Sequence, residues 1–361
     1  MGLDVSGKFR YPPPNEMWLN QDVEDVLDPS LSIIDSHHHL WTEHEVPYLG
    51  PEIMCDLNSG HRVRATVFVQ AHYGYRQDLP PHLAPIGETE KVAAIAEQCA
   101  AEGCPTQIAE AIVAFADLTL GSKVQEVLDA HAVAAKGRLR GIRHSVSRDT
   151  HFPDGIVIKP SQAGLLLDST YREGLKTLGR LGLSYDAMLY HQQIPELTET
   201  AGALPDLPII LDHMGTKLGV GPYAMSVQET FDSWRDSMRD LAQCPNVTVK
   251  IGGLGMVICG ARWHEHLEPP GSIALAKSWK PQIETCIELF GAERCMFESN
   301  FPVDKAMVSY RTLWNTFKRV TVAASRSERE ALFAGTASRV YRLERDTEQA
   351  NNETSSEQIS G

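Results

Sequence analysis

LSIIDSHHH (31–39) is an apolar run that ends on three histidines, and its plan repeats along the chain. RATVFVQAH (64–72), AIVAFADL (111–118), RLRGIRHS (138–145), LSYDAMLYH (183–191), LPIILDH (207–213), NVTVKIGG (246–253) and RCMFESN (294–300) are built in the same way. Each is short, rich in Val, Ile and Leu, and finishes on polar or ionisable residues, as a strand covered on both faces should be. Between them lie amphipathic segments of helical period. ETEKVAAIAEQCAAEG (88–103), SKVQEVLDAHAVAAKG (122–137), DSTYREGLKTLGRLG (168–182), VQETFDSWRDSMRDLAQC (227–244), IALAKSWKPQIETCIELFG (273–291) and MVSYRTLWNTFKRV (307–320) are examples. The third begins on an Asp-Ser cap and runs out at glycine.

Repeated β-then-α order predicts a parallel sheet. Eight such units favour a closed (β/α)8 TIM barrel over an open doubly wound sheet. No GxGxxG follows the first strand, which removes the usual reason to prefer a dinucleotide-binding fold. GGLG (252–255) is too short for a phosphate loop. The barrel is expected over 31–344, after an N-terminal extension (1–30) that lies on it as an arm. A polar tail (345–361) is expected to be disordered. The stretch 254–272 is long for a βα loop and is expected to cover the mouth of the barrel.

The 361 residues are 42% hydrophobic, enough for a sizeable core. A net charge of −14 disfavours nucleic acid or an anionic membrane as partner. No run approaches the length of a spanning helix, and the N-terminus lacks the pattern of a signal peptide. Seven scattered cysteines without CxxC read as reduced thiols of a cytoplasmic protein. A homo-oligomer is compatible with all of this.

In such a barrel the chemistry sits at the C-terminal ends of the strands. Those ends offer, in order, Asp35, His37 and His39; Gln70 and His72; Asp117; Arg143 and His144; Asp186 and His191; Asp212 and His213; Lys250; Glu298 and Asn300. Side chains two apart on a strand share a face, so His37 and His39 point together and His38 points away. If Asp35 shares their face it lies one layer deeper. Two imidazoles so placed suit one metal ion, or a hydrogen-bonded polar cluster.

DSHHHLW, GIRHS, LDHMG, VKIGGLG and FESNFPVDK, in this order, resemble the amidohydrolase superfamily, and more narrowly its amidohydrolase-2 group of TIM-barrel hydrolases, lactonases and non-oxidative decarboxylases. The resemblance runs from about residue 31 to 343. It implies that His37, His39 and His213 are metal ligands, with zinc or manganese as the divalent ion. It also implies an eighth-strand aspartate that binds the metal and takes a proton from water. Here that position is Asn300, which cannot be a general base and is a poor ligand. Glu298, two residues earlier, and Asp304, in the following loop, are the carboxylates available to replace it. Glu298 could instead form a structural ion pair with Lys250 or an arginine.

The expected activity is therefore hydrolysis of a small carbonyl compound, most simply a lactone or other cyclic ester of an organic acid. His213, His191, Glu298 and Asp304 are the candidate catalytic groups. Arg143, His144, Asn300, His72, Lys250 and Trp41 are candidates for holding a small, anionic substrate. Arg143 suits a bidentate grip on a carboxylate or lactone oxygen, and Trp41 either walls the pocket or packs on the arm. His264 and His266, in the long loop, could reach over the substrate. The alternatives are a carbon–carbon lyase of decarboxylase type, and a binding protein without catalysis.

Overall fold

The computed structural model describes residues 11–21, 23–42, 46–156 and 159–343. Eight strands pair in parallel in chain order: β1 (Ser32–His38), β2 (Arg62–Val69), β3 (Gln107–Ala114), β4 (Leu139–Ile142), β5 (Ser184–Ala187), β6 (Ile209–Leu211), β7 (Val247–Ile251) and β8 (Cys295–Phe297). The barrel closes just beyond β8. Asn300 N–H donates to His37 O at 2.9 Å, His39 N–H donates to Phe301 O at 2.7 Å, and His38 and Phe301 form a parallel bridge. The fold is the expected (β/α)8 barrel.

A helix follows every strand: α1 (Gly50–Leu57), α2 (Ile86–Ala101), α3 (Val124–Ala134), α4 (Ser169–Arg180), α5 (Ile194–Ala203), α6 (Val227–Leu241), α7 (Ser272–Phe290) and α8 (Tyr310–Val320). The Asp168 cap is real: its carboxylate accepts the Tyr171 N–H at 2.8 Å. Strands β5 and β6 are shorter than the apolar runs that announce them. Beyond β5, Met188, Leu189 and Tyr190 stay buried, whereas the run of β6 continues into the buried Asp212 and His213.

Strand alternation sorts the core into two parts. Outward residues such as Ile33, Phe68, Ile112, Tyr185, Val249 and Phe297 pack under the helices. Inward residues Ile34, Ala65, Val67, Ala111, Val113, Ile210 and Met296 fill the lower barrel, and Ala337 and Tyr341 from the C-terminal end of the described chain close its floor. One layer higher the inward positions turn ionic, with Arg143, Asp186, Asp212, Lys250 and Glu298 all buried.

Strand β1 breaks the alternation. Between Asp35 and His38 it advances three residues while β2 advances two, a β-bulge. His37 therefore turns inward, whereas Asp35 turns out between β1 and β8 and accepts from Ser299 N–H at 2.8 Å and Tyr310 O–H at 3.1 Å. The conditional placement of Asp35 beneath the histidines is thereby corrected. His38 points away as predicted, toward Thr66 Oγ1 at 2.9 Å.

The N-terminal arm runs the height of the barrel. Tyr11 stands at the mouth, and Trp18 Nε1 donates to His266 O at 3.1 Å. Glu24 binds Ser272 and Asn315, and Leu27 O accepts from Lys318 near the base at 2.7 Å. Met256 and Ile258 of the long loop pack over the mouth. The tail at 345–361 lies outside the described residues. Among those described, no helix is long and apolar enough to cross a membrane, and the seven cysteines are free.

Phe317 of α8 stacks on Phe297 of β8 with centroids 4.4 Å apart, and both are fully buried. Phe317→Ala should lower the unfolding free energy by about 3–5 kcal/mol. The measurement is a urea titration, in which the midpoint falls at unchanged slope.

Candidate active site

Lys250 forms the floor. It has no exposed surface, and its ammonium lies 2.8 Å from Asp186 Oδ2 and 3.1 Å from Asp212 Oδ1. Glu298 was one candidate partner for it, but β5 and the end of β6 supply the nearer carboxylates. Asp186 is completed by the Tyr341 hydroxyl at 2.6 Å and Ser184 Oγ at 3.0 Å. Burial alone would raise the Asp212 carboxyl, but Lys250 and His37 outweigh it and hold Asp212 well below the usual range. Neither Asp212 oxygen has a hydrogen bond of good geometry, which is unusual for a buried carboxylate.

His37 stands at the centre. Its Nε2 is 3.2 Å from His39 Nε2 and 3.3 Å from Arg143 Nη1. Its Nδ1 is 2.9 Å from Glu298 Oε2 and 3.3 Å from Lys250 Nζ. His39 Nδ1 lies 2.8 Å from the Val69 carbonyl, so that nitrogen carries the proton and His39 Nε2 is a lone pair. A neutral His37 finds partners in either tautomer: with the proton on Nδ1 it donates to Glu298 while Nε2 accepts from Arg143, and with the proton on Nε2 it donates to His39 while Nδ1 accepts from Lys250. Burial first, then Lys250, lower the His37 pKa, which disfavours a second proton.

His213 is raised into the mouth by a strained corner. His213, Met214 and Thr216 all take positive φ (52°, 53° and 39°), with Gly215 between them at 73°. Such non-glycine conformations cost about 1–3 kcal/mol each and concentrate at functional sites. His213 Nδ1 donates to Glu298 Oε1 at 2.6 Å, which leaves Nε2 for a ligand. Burial works against its imidazolium, yet Glu298 prevails and the His213 pKa is raised. Reciprocally, burial raises Glu298, but the two imidazoles outweigh it and bring the carboxyl down to about 2. His37, Asp212 and His213 present ligand atoms all within 4.8 Å of one another, a group that could hold a metal ion. The donor set suits zinc or manganese. His39 joins through His37 rather than as a member of that group, and Asp212 is the ligand candidate that had not been singled out.

VKIGGLG explains itself in this setting. A Cβ on Gly253 (φ +65°) would lie 2.7 Å from the His213 ring, one on Gly255 would lie 3.0 Å from Asp304, and one on Gly252 would strike Glu298. The segment is a bare backbone wall against which three site residues lean.

Asn300, at φ 55°, does not turn toward the histidines. Its side-chain amide donates to Asp304 Oδ1 at 2.9 Å, and the Gly255 N–H donates to Asp304 Oδ2 at 2.9 Å. Burial nevertheless pushes the Asp304 carboxyl up to about 7. Arg143 enters the site and is anchored by the Gln70 carbonyl, whereas His144 turns away. His144 Nδ1 accepts the Leu118 N–H at 3.1 Å, with its ring between Phe115 and Tyr171. His191 is also placed elsewhere: β5 ends at Ala187, so His191 sits in the upper rim, accepting from Leu218 N–H at 3.3 Å beside Tyr223. His72 is exposed at the mouth with Nδ1 3.0 Å from the Tyr75 hydroxyl. Trp41 stacks on His39 with centroids 5.8 Å apart. His264 lies against Met307 and His266 against Trp263, in the long loop.

Gly253→Ala should displace the His213 ring while leaving the barrel folded. Activity should fall by about 100-fold or more, since misplacement by about 1 Å has that effect. Circular dichroism spectra superimposable on the wild type separate this outcome from unfolding.

Residues 34–343 match the family model described as "Amidohydrolase". A Sinorhizobium fredii protein named y4mH is 35% identical over 87% of this chain and 99% of its own. An L-fucono-1,5-lactonase of Burkholderia multivorans is 24% identical over 86% of this chain and 96% of its own. Among solved structures, an amidohydrolase from Burkholderia multivorans with bound HEPES superimposes with a TM-score of 0.65 at 23% identity, covering 86% of this chain and 99% of that one. Its zinc-bound form gives 0.64 at 22% identity over the same shares. The family match over nearly the whole barrel, and the close relative over nearly its full length, show that the chain belongs to the amidohydrolase family.

Proposed function

We propose that the protein hydrolyses a small cyclic ester, a lactone, with Asp304 as general base. The observation that carries this reading is the division between two buried carboxylates. Glu298, tied to two imidazoles at 2.9 and 2.6 Å, is too weak a base to take a proton at neutral pH. Asp304, held by neutral donors and desolvated, has the pKa near 7 that suits proton transfer. The lactonase named among the relatives supports the choice of an ester ring.

In this mechanism Arg143 and the His213 Nε2 side polarise the ester carbonyl. Water forms the new bond to the carbonyl carbon and gives its proton to Asp304. The oxyanion is stabilised by the same positive groups in a dry site, where such interactions count most. The ring C–O bond then breaks, and Asp304 returns its proton to the leaving alkoxide, releasing a hydroxy acid. A divalent ion held by His37, Asp212 and His213 would supply Lewis-acid polarisation of that carbonyl, and a structural neighbour holds bound zinc.

The test is proton release from a panel of sugar and simple δ-lactones, followed with a pH indicator, beside an assay for CO2 from hydroxybenzoates. Carbon dioxide without lactone hydrolysis would replace this reading with the decarboxylase one. For the lactonase, kcat/KM should rise with pH through about 7, because the base works only when deprotonated. In Asp304→Asn that limb should vanish, with activity lower by about 100-fold or more.

Asn300→Asp should not restore anything. It would set a second carboxylate beside Asp304, raise the pKa of the pair and displace the rising limb to higher pH. The expected loss at pH 7 is about tenfold or more. A gain in hydrolysis would mark Asn300 as a lesion in a decayed enzyme. Elemental analysis of protein purified without chelator should find zinc or manganese, and Asp212→Asn should reduce it. Metal-free protein with full activity would remove the ion from the mechanism.

A further inference from the structure

Above the ionic layer, Ile156, Tyr190, Leu218, Met256 and Ile258 form a separate buried cluster. Tyr11, Phe152, Val220, Tyr223, Cys259 and Val303 pack against it. These residues come from the loops after β4, β5, β6, β7 and β8 and from the N-terminal arm, so the cluster is a roof over the mouth. Two phenols are set into it. Tyr190 is 2% exposed and its hydroxyl has no hydrogen-bond partner. The Tyr11 hydroxyl donates to Met256 Sδ at 3.7 Å, and a thioether is a weak acceptor. A hydroxyl as buried as that of Tyr190 is rarely left without a partner.

The roof is tied directly to the proposed base. Met256 follows Gly255, whose N–H holds Asp304 at 2.9 Å. The arm that carries Tyr11 is itself pinned at the rim. Lys305 Nζ lies 2.7 Å from both Glu16 and Asp56, and Trp18 is bonded to the long loop. Burial pushes the ionisation of both phenols upward, so each keeps its proton as a donor.

We infer that Tyr11 and Tyr190 are specificity residues that donate to oxygens of the substrate on the side away from the reacting carbonyl, so that the preferred ester carries hydroxyl groups there. The inference rests on the lactonase reading for its substrate and goes beyond it in assigning the arm to the binding site. Both phenols matter only for a substrate long enough to span from His213 to the roof.

The experiment compares Tyr11→Phe and Tyr190→Phe with wild type on a polyhydroxylated hexono-δ-lactone and on unsubstituted δ-valerolactone. For the hexonolactone, KM should rise about tenfold per lost hydrogen bond, with little change in kcat. For δ-valerolactone neither constant should move. Equal losses on both substrates, or none on either, overturn the assignment. If wild type hydrolyses neither lactone, the function reading falls, and calorimetry with the two open hydroxy acids decides the roof. Binding of the polyhydroxy acid weakened in both variants, with the unsubstituted acid unaffected, retains the assignment. Equal binding by the variants, or no binding by wild type, overturns it.

Discussion

An ammonium group without any access to water, Lys250, is the constraint around which the upper barrel is arranged. A buried charge of this kind is tolerated only when paired and bonded. Asp186 and Asp212 from the two preceding strands provide the pairing, and Tyr341 and Ser184 complete Asp186. Tyr341, in the last described turn of chain, takes part both in the barrel floor and in the ionic layer. The apolar layer below and the ionic layer above differ only in which residues occupy successive inward positions of the same strands.

The second consequence is chemical. Two carboxylates that follow β8 in the chain are driven apart in acidity by what they touch. Glu298 faces imidazoles and is held ionised, whereas Asp304 faces an asparagine amide and a backbone N–H and is lifted toward neutrality. Asn300 belongs to this division. An aspartate there would place a like charge against Asp304, whereas the asparagine amide donates a hydrogen bond to it. The glycines of 252–255 keep this arrangement accessible, since side chains there would collide with the groups they support.

Much of the site was legible before folding is considered. The polar endings of eight apolar runs named Arg143, Lys250, His213, Glu298 and the His37–His39 pair, and the geometry brings these together. Asp212 stood in the same list, yet its weight became visible only through its orphaned oxygens beside Lys250 and His37. His144 and His191 carried the same signal but turn elsewhere, because a strand-end position gives no direction once the chain has left the ladder. Tyr11 and Tyr190 had no signal at all: one is remote in sequence, and the other looked like the neighbour of a histidine.

What the sequence determined by itself is the (β/α)8 barrel and the inventory of groups at its mouth. Both follow from local order, namely short, near-continuous apolar runs alternating with amphipathic segments of helical period. What only the tertiary structure decided is which members of that inventory meet. The β1 bulge reverses Asp35, the left-handed corner lifts His213, and the arm brings Tyr11 over the site from the other end of the chain. Each of these is set by neighbours far away in sequence, and periodicity along a single strand carries no information about them.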